Sequence, residues 1–285
     1  MTAAAAALVT ACSGGAVPAD RSSTAGGPQA SPARLGYDLP DDPATMLFPA
    51  TGAETRWTQG LEVFTQQVAR VTAASCARGT GTGFFGQPPL AFIRFSDVPD
   101  LDFVARHGFG QSAEVPEPTA PAPSAGAPAT GRSADHATAR DCRGRAQAAA
   151  ETLRGPYAGL QAQWLRGLSS LRSDPAVARA LRSLSACFSA HGVKARDEDG
   201  FFARADAALN TAAPTELPRL DREFGSVYAT CMRPVEAVRE PARVRARRSF
   251  LTEHATEVRD LRRDLVPSLR RAERRYGVRL AFPAP

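Results

Sequence analysis

The chain has 285 residues, with 35 basic and 29 acidic side chains and a formal net charge of +6. That length holds one large domain or two small ones with an adequate core, and an apolar fraction of 43% excludes a chain disordered throughout. No run reaches the roughly 18–20 consecutive apolar residues that a spanning helix needs, which excludes an integral helical membrane protein. Of the basic residues, 34 are Arg and one is Lys194. With so many Ala, Gly and Pro beside them, that bias reads as GC-rich codon usage rather than Arg-specific chemistry.

The first signal in chain order is an apolar run, Ala3 to Ala11, that ends in Val9-Thr10-Ala11-Cys12-Ser13-Gly14. An apolar stretch closing on small residues is the pattern of an export signal. With Cys directly after the small residue, it resembles a bacterial lipobox. The resemblance implies that residues 1–11 are a signal peptide and that Cys12 receives a lipid and becomes the new N-terminus. The run is short and no Lys or Arg precedes it, as expected if the natural signal begins upstream of Met1. Residues 12–34 then read as the lipidated Cys and a small, Pro/Gly-rich tether.

From residue 35 the period is helical. Trp57, Leu61, Phe64, Val68 and Val71 recur at steps of 4, 3, 4 and 3, one face of a helix that ends near Cys76 and Gly79. Leu90 to Phe95 is the only strand candidate, and one strand makes no sheet. Residues 35–112 form a small N-terminal helical part. Residues 113–138, rich in Pro and Ala, read as a disordered loop. The larger part, 139–285, opens with Ala146, Ala149 and Leu153. Its helix is interrupted at Gly155-Pro156 and resumes through Tyr157, Leu160, Trp164, Leu168 and Leu171. Ser173-Asp174-Pro175 reads as a cap with Pro in the first turn of a helix that runs through Val177, Leu181, Leu184 and Phe188 to Gly192. Leu217 to Cys231 and Leu251 to Leu269 mark two further faces. Pro234, Pro241 and Pro267 are expected to break or kink this region. The fold class expected is all-α: an irregular antiparallel bundle of five or six helices, with two disulfides and long disordered segments.

Five Cys leave an odd thiol in an exported protein. Lipidation of Cys12 resolves the parity, leaving Cys76, Cys142, Cys187 and Cys231 for two disulfides in an oxidising compartment. Helix order favours Cys76–Cys142 and Cys187–Cys231 over the crossed pairings. None of the four sits in a CxxC pair, so no zinc site and no other metal is expected. The order of helix, Cys76 and Gly-rich stretch, then Leu101-Asp102-Phe103-Val104-Ala105-Arg106-His107-Gly108, then Cys142, then Ser185-Ala186-Cys187-Phe188-Ser189-Ala190-His191-Gly192, then Asp221-Arg222-Glu223-Phe224 with Cys231, resembles uncharacterised secreted proteins and lipoproteins of actinomycetes with repeated helix–Cys–Gly segments. It departs from them at Leu184 and Cys187-Phe188, where Trp and Cys-Met are more usual. The resemblance implies a fold and a compartment but no reaction.

Catalytic patterns are sparse. Gly81-Thr82-Gly83-Phe84-Phe85-Gly86 has dinucleotide-loop spacing but follows a helix rather than a strand and precedes Pro88-Pro89, so the match is accidental. There is no nucleophile elbow, HExxH or Walker loop. Of four His, His136 lies in the Pro/Ala-rich stretch, His191 beside a helix-stopping Gly, His254 on the seam of the last helix and His107 in a Gly turn. Asp197-Glu198-Asp199 reads as a solvated connector. No catalytic residue and no cofactor is expected.

Charge is uneven. Residues 233–279 hold fourteen Arg against seven acids, an excess of seven, which leaves the rest of the chain near −1. Arg243, Arg245, Arg247 and Arg248, and then Arg270, Arg271, Arg274 and Arg275, form two basic clusters. Each is either a solvated helix face laced by Glu/Arg pairs or a surface for anionic lipid or cell-wall polymer. Nucleic acid is not an expected partner for an exported, tethered chain. The reading is a cell-surface lipoprotein on the outer face of the membrane, with a non-catalytic binding or structural role. A secreted cell-wall hydrolase whose site is not readable is the alternative.

Overall fold

The computed structural model describes residues 33–80, 97–109 and 136–284. Cys12, the Gly81–Gly86 motif, the Leu90–Phe95 strand candidate and most of the two Pro-rich stretches lie outside those residues.

Eight α-helices occur among the described residues: α1 (Gly52–Gly79), α2 (Leu101–His107), α3 (His136–Ser170), α4 (Pro175–Leu181), α5 (Leu184–Ala190), α6 (Glu198–Thr211), α7 (Leu217–Glu253) and α8 (Ala255–Tyr276). The only strands among them are a two-residue ribbon in which β1 (Leu35–Gly36) pairs antiparallel with β2 (Phe282–Pro283). The fold is all-α. α1 starts where Glu54 accepts hydrogen bonds from the N–H groups of Ala50 and Thr51, at 2.7 and 3.1 Å, satisfying donors outside the helix ladder. Its Leu61, Phe64 and Val68 are buried, while Trp57 and Val71 are half-buried against the same core. α3 runs antiparallel to α1. Its N-terminal end is bonded through Cys142 to Cys76, and near its other end the Trp164 indole donates to the Pro49 carbonyl at 3.2 Å.

Two apolar cores result. One gathers residues 44–50, α1, α3, α8 and the C-terminal segment, with Phe48, Trp164, Leu265 and Phe282 fully inside. The other gathers α2, α5, α6 and the first half of α7. There Phe188 stacks on Phe201 at 4.6 Å and Phe109 meets Tyr228 edge-on at 5.6 Å. α7, 37 residues long, crosses from the second core to the first. The sequence division into parts at 35–112 and 139–285 therefore does not describe the cores. Each core takes residues from both sides of the 113–138 stretch, because neither part has enough apolar surface to close on itself. α3 also begins inside that stretch, at His136.

At none of the four prolines does the helix break. Pro156 lies within α3, Pro234 and Pro241 within α7, and Pro267 within α8. Each proline is exposed, and so is the residue four positions earlier: Thr152, Thr230, Ala237 and Arg263. The carbonyls that lose their N–H partner thus lie on the wet side, while the apolar stripe opposite stays packed; this offsets a cost of about 3 kcal/mol per proline. The helix expected from Pro175 to Gly192 is instead two, α4 and α5, parted at Arg182-Ser183. Its start is as expected, with the Asp174 carboxylate accepting from Ala176 and Val177. His254 is not on the seam of the last helix. It is the joint between α7 and α8.

The disulfides join Cys76 to Cys142 and Cys187 to Cys231, with Cα separations of 5.4 and 5.6 Å. This is the pairing favoured from helix order. Closing loops of 66 and 44 residues constrains the unfolded chain by roughly 4 kcal/mol each on the chain-entropy account.

α2 and α7 touch backbone to backbone. A Cβ at Gly225 would lie 2.3 Å from the Val104 carbonyl oxygen and 2.8 Å from the Gly108 Cα. Gly108, at φ +71°, closes α2 over Asp221, whose carboxylate accepts the Phe109 N–H at 2.9 Å. Gly225→Ala forces these backbones apart and is expected to cost about 1–3 kcal/mol in urea unfolding. An unchanged midpoint would refute this close contact.

Candidate functional site

Three features outside ordinary apolar packing have the chemistry of sites: a buried charge network, a cleft, and a Cys/His group.

The network lies where the two cores meet. α7 carries Arg239, Arg243 and Arg247 at steps of four, so all three lie along one face. Arg243 is fully buried. It donates to the Ala50 carbonyl at 2.8 Å, to the Asp97 carbonyl at 3.0 Å and to the Glu236 carboxylate. Arg239, 2% exposed, donates to the other Glu236 oxygen at 2.6 Å and lies 4.0 Å from Glu198. Arg247 reaches the Glu54 carboxylate at 2.5 Å. Glu198 also accepts from the Tyr228 hydroxyl at 2.5 Å and has Arg172 at 3.6 Å; Arg172 in turn donates to the Asp97 carboxylate at 2.8 Å.

Two sequence expectations are corrected here. Glu198 is not solvated like its neighbours Asp197 and Asp199, which are exposed: it is 4% exposed, because it shares the inward face of α6 with Phe201. Arg243 is no basic surface residue and Arg247 is half-buried, because the spacing that makes a cluster in sequence puts these two on the core face of α7. Arg245 and Arg248, on the other face, are exposed, as are Arg270, Arg271, Arg274 and Arg275 on α8. The network was missed in the sequence because Glu236, Arg239 and Glu198 belong to no motif. The i, i+3 and i, i+7 spacing of Glu236 with Arg239 and Arg243 is the one local signal.

Burial raises the Glu198 carboxyl above the ordinary value of 4.5, against the opposing pull of Arg239, the Tyr228 hydrogen bond and Arg172. Tyr228 is raised well above 10.0, first by burial and then by the neighbouring Glu198 charge. In this network each carboxylate faces at least one guanidinium, an arrangement that fixes helix positions.

The cleft, about 650 Å³, opens between α3 and α8. Its floor is Leu153, Leu160, Leu261, Leu265 and Leu269. It exists because the second stripe of α3 is small. Gly155 and Gly159 lie four apart on one face, and a Cβ on either would meet no atom within 4 Å. The α8 side is lined by Glu257, Asp260 and Asp264, with Arg271 towards the far end. Tyr157, at the wall, has its hydroxyl pushed up to about 12 by burial, despite a hydrogen bond with Thr65. The cavity lies within the range of small-molecule sites.

Among the described residues, one group has metal-ligand chemistry: Cys187, His191 and Cys231, with ligand atoms within 4.8 Å of one another. Both sulfurs are used in the disulfide, so the group presents no thiolate. His191 itself ends α5, and Gly192 follows at φ +79°.

No family model matches the chain, and no curated protein or solved structure is significantly similar to it.

The buried carboxyl gives a signed pH test. Because the folded value of Glu198 is raised, its neutral form favours the native state. That contribution is complete below 4.5 and is lost as pH rises through the folded value. Glu198→Gln keeps an acceptor for Tyr228 and does not titrate. Measured by urea unfolding from pH 4 to 8, the wild type should lose stability relative to the variant as pH rises. A difference that is flat, or that moves in the wild type's favour, would contradict the burial assigned to this carboxyl.

Proposed function

We propose that this chain is a lipid-tethered protein of the bacterial cell surface, held on the outer face of the membrane through Cys12, and that its helical domain binds or positions rather than catalyses. The observation that carries the reading is cysteine parity. The other four cysteines are closed in two disulfides, which supports an oxidising compartment and leaves Cys12 as the one cysteine outside them. The Val9-Thr10-Ala11-Cys12 pattern supports the same compartment from the other direction. The inward pairing of the buried charges supports a structural or binding role for the helical body.

The exposed Arg clusters give the domain a means of lying on an anionic surface. Arg270, Arg271, Arg274 and Arg275 occupy the end of α8, where Arg270 pairs with Glu273 at 2.7 Å. Each basic group near an anionic membrane contributes on the order of 1 kcal/mol within a Debye length.

In a native bacterial host, Cys12→Ser should move the protein from the membrane fraction to the medium or leave an uncleaved precursor, read by fractionation and mass. Two or more acyl chains hold firmly where one is marginal. Unchanged retention with normal processing removes the anchor. The surface contact is tested on the full chain carrying Cys12→Ser. It should sediment with phosphatidylglycerol vesicles at low salt, release as salt rises and ignore phosphatidylcholine, and replacing the four α8 arginines with Gln should abolish the sedimentation. Equal behaviour toward both vesicles would leave those arginines as a solvated face.

A further inference from the structure

We infer that the α3–α8 cleft is a binding site for a small amphiphilic cation, an apolar body bearing an ammonium or guanidinium group. The apolar body follows from the floor. Leu153, Leu160, Leu261, Leu265 and Leu269 leave a leucine-lined trough of about 650 Å³, room for a ligand of tens of atoms. The absence of side chains at Gly155 and Gly159 keeps it open. Glycine in a helix interior is less favourable than Ala, and at these two positions no neighbouring atom lies close enough to require it.

The charge of the ligand follows from the wall. Glu257, Asp260 and Asp264 recur at steps of three and four along α8, directly beside the Leu261 and Leu265 stripe. Against them the lining sets one guanidinium, Arg271, seven residues or about two turns beyond Asp264. Three carboxylates stand against Arg271 and against Arg263, which pairs with two of them, an excess of one negative charge in a chain whose net charge is +6. The sign of the cleft is thus opposite to that of the molecule. Arg263 pairs with Asp260 at 3.0 Å and with Asp264 at 2.7 Å, and His254 lies 3.6 Å from Glu257. All three carboxylates are exposed in these pairs, where the attraction is screened and weak. A cation whose apolar body occupies the trough competes with Arg263 and His254 for these carboxylates, which such screened pairs hold only weakly. An amphiphilic anion would meet the carboxylates first.

This inference goes beyond the tethered-protein reading and does not depend on it, since its test is done in solution without the anchor. The full chain carrying Cys12→Ser, with both disulfides formed, is titrated with decyltrimethylammonium, decyl sulfate and decyl maltoside, each below its micelle concentration. Calorimetry reads affinity and stoichiometry. The expected result is saturable binding of one decyltrimethylammonium, at least tenfold tighter than decyl sulfate. Gly159→Leu puts a side chain into the trough at a position where an added Cβ meets no atom within 4 Å. It should weaken the cation at least tenfold with a melting temperature unchanged or raised. Asp260→Asn with Asp264→Asn, both exposed and remote from the core, should remove the preference for the cation over the neutral maltoside while leaving the neutral probe bound. Equal binding of all three probes, tighter binding of the sulfate, non-saturable uptake, or indifference of the cation to both variant sets would each overturn the site.

Discussion

The buried Glu236 carboxylate and the two guanidiniums it holds are the constraint on which the arrangement of helices rests. Arg243 has no contact with solvent, yet it must keep its charge, so every direction in which it donates needs an oxygen. Those oxygens come from three separate places in the chain: Glu236 on its own helix, Ala50 just before α1, and Asp97 just before α2. One side chain of α7 thereby sets where two other helices begin. Arg247 repeats the device one turn on, through the Glu54 carboxylate that also caps α1. Removing one partner of such a network leaves an uncompensated buried charge, which typically costs about 3–5 kcal/mol.

The rest of the fold is built outward from that joint. The aromatic cluster around Phe201 and Tyr228 closes one end, and the leucine-rich stripes of α3 and α8 close the other. A disulfide goes with each core: Cys187–Cys231, whose Cys231 is buried in the aromatic core, and Cys76–Cys142, which joins α1 to α3 of the other. The two short strands tie the beginning and the end of the described chain together. There Ala284 donates to the Arg34 carbonyl at 2.7 Å and Phe282 sits against Gly60. A chain with this many small residues gains little from any one contact. Cross-links and charge pairs do here what larger side chains do in bulkier cores.

Charge is also sorted by place. Part of the Arg excess of residues 233–279 is consumed inside, by Arg239, Arg243 and Arg247; the exposed arginines are spread along α7 and α8, four of them, Arg270, Arg271, Arg274 and Arg275, towards the far end of α8. α8 therefore carries the carboxylates of the cleft in its first half, among Arg259, Arg262 and Arg263, and four exposed arginines towards its last turns. The proposed contacts with an anionic surface and with a cationic ligand adjoin on this one element, and Arg271 belongs to both linings.

The sequence alone determined the helical class, the apolar stripes of α1, α3 and α8 and the Asp174-Pro175 helix start, and it favoured, without fixing, the cysteine partners that the structure joins. All of these rest on spacing along one helix or on the order of a few landmarks, which a linear pattern records. It misplaced the prolines, because whether a proline breaks a helix depends on which side of that helix is wet. It misread Glu198 and Arg243, because a charge is spelled the same way on a solvated face as on a buried one. Only tertiary structure decided these, by bringing α6, α7 and the segments before α1 and α2 within hydrogen-bonding distance. It alone opened the cleft as well: Gly155 and Gly159 define empty space only once α8 lies beside them.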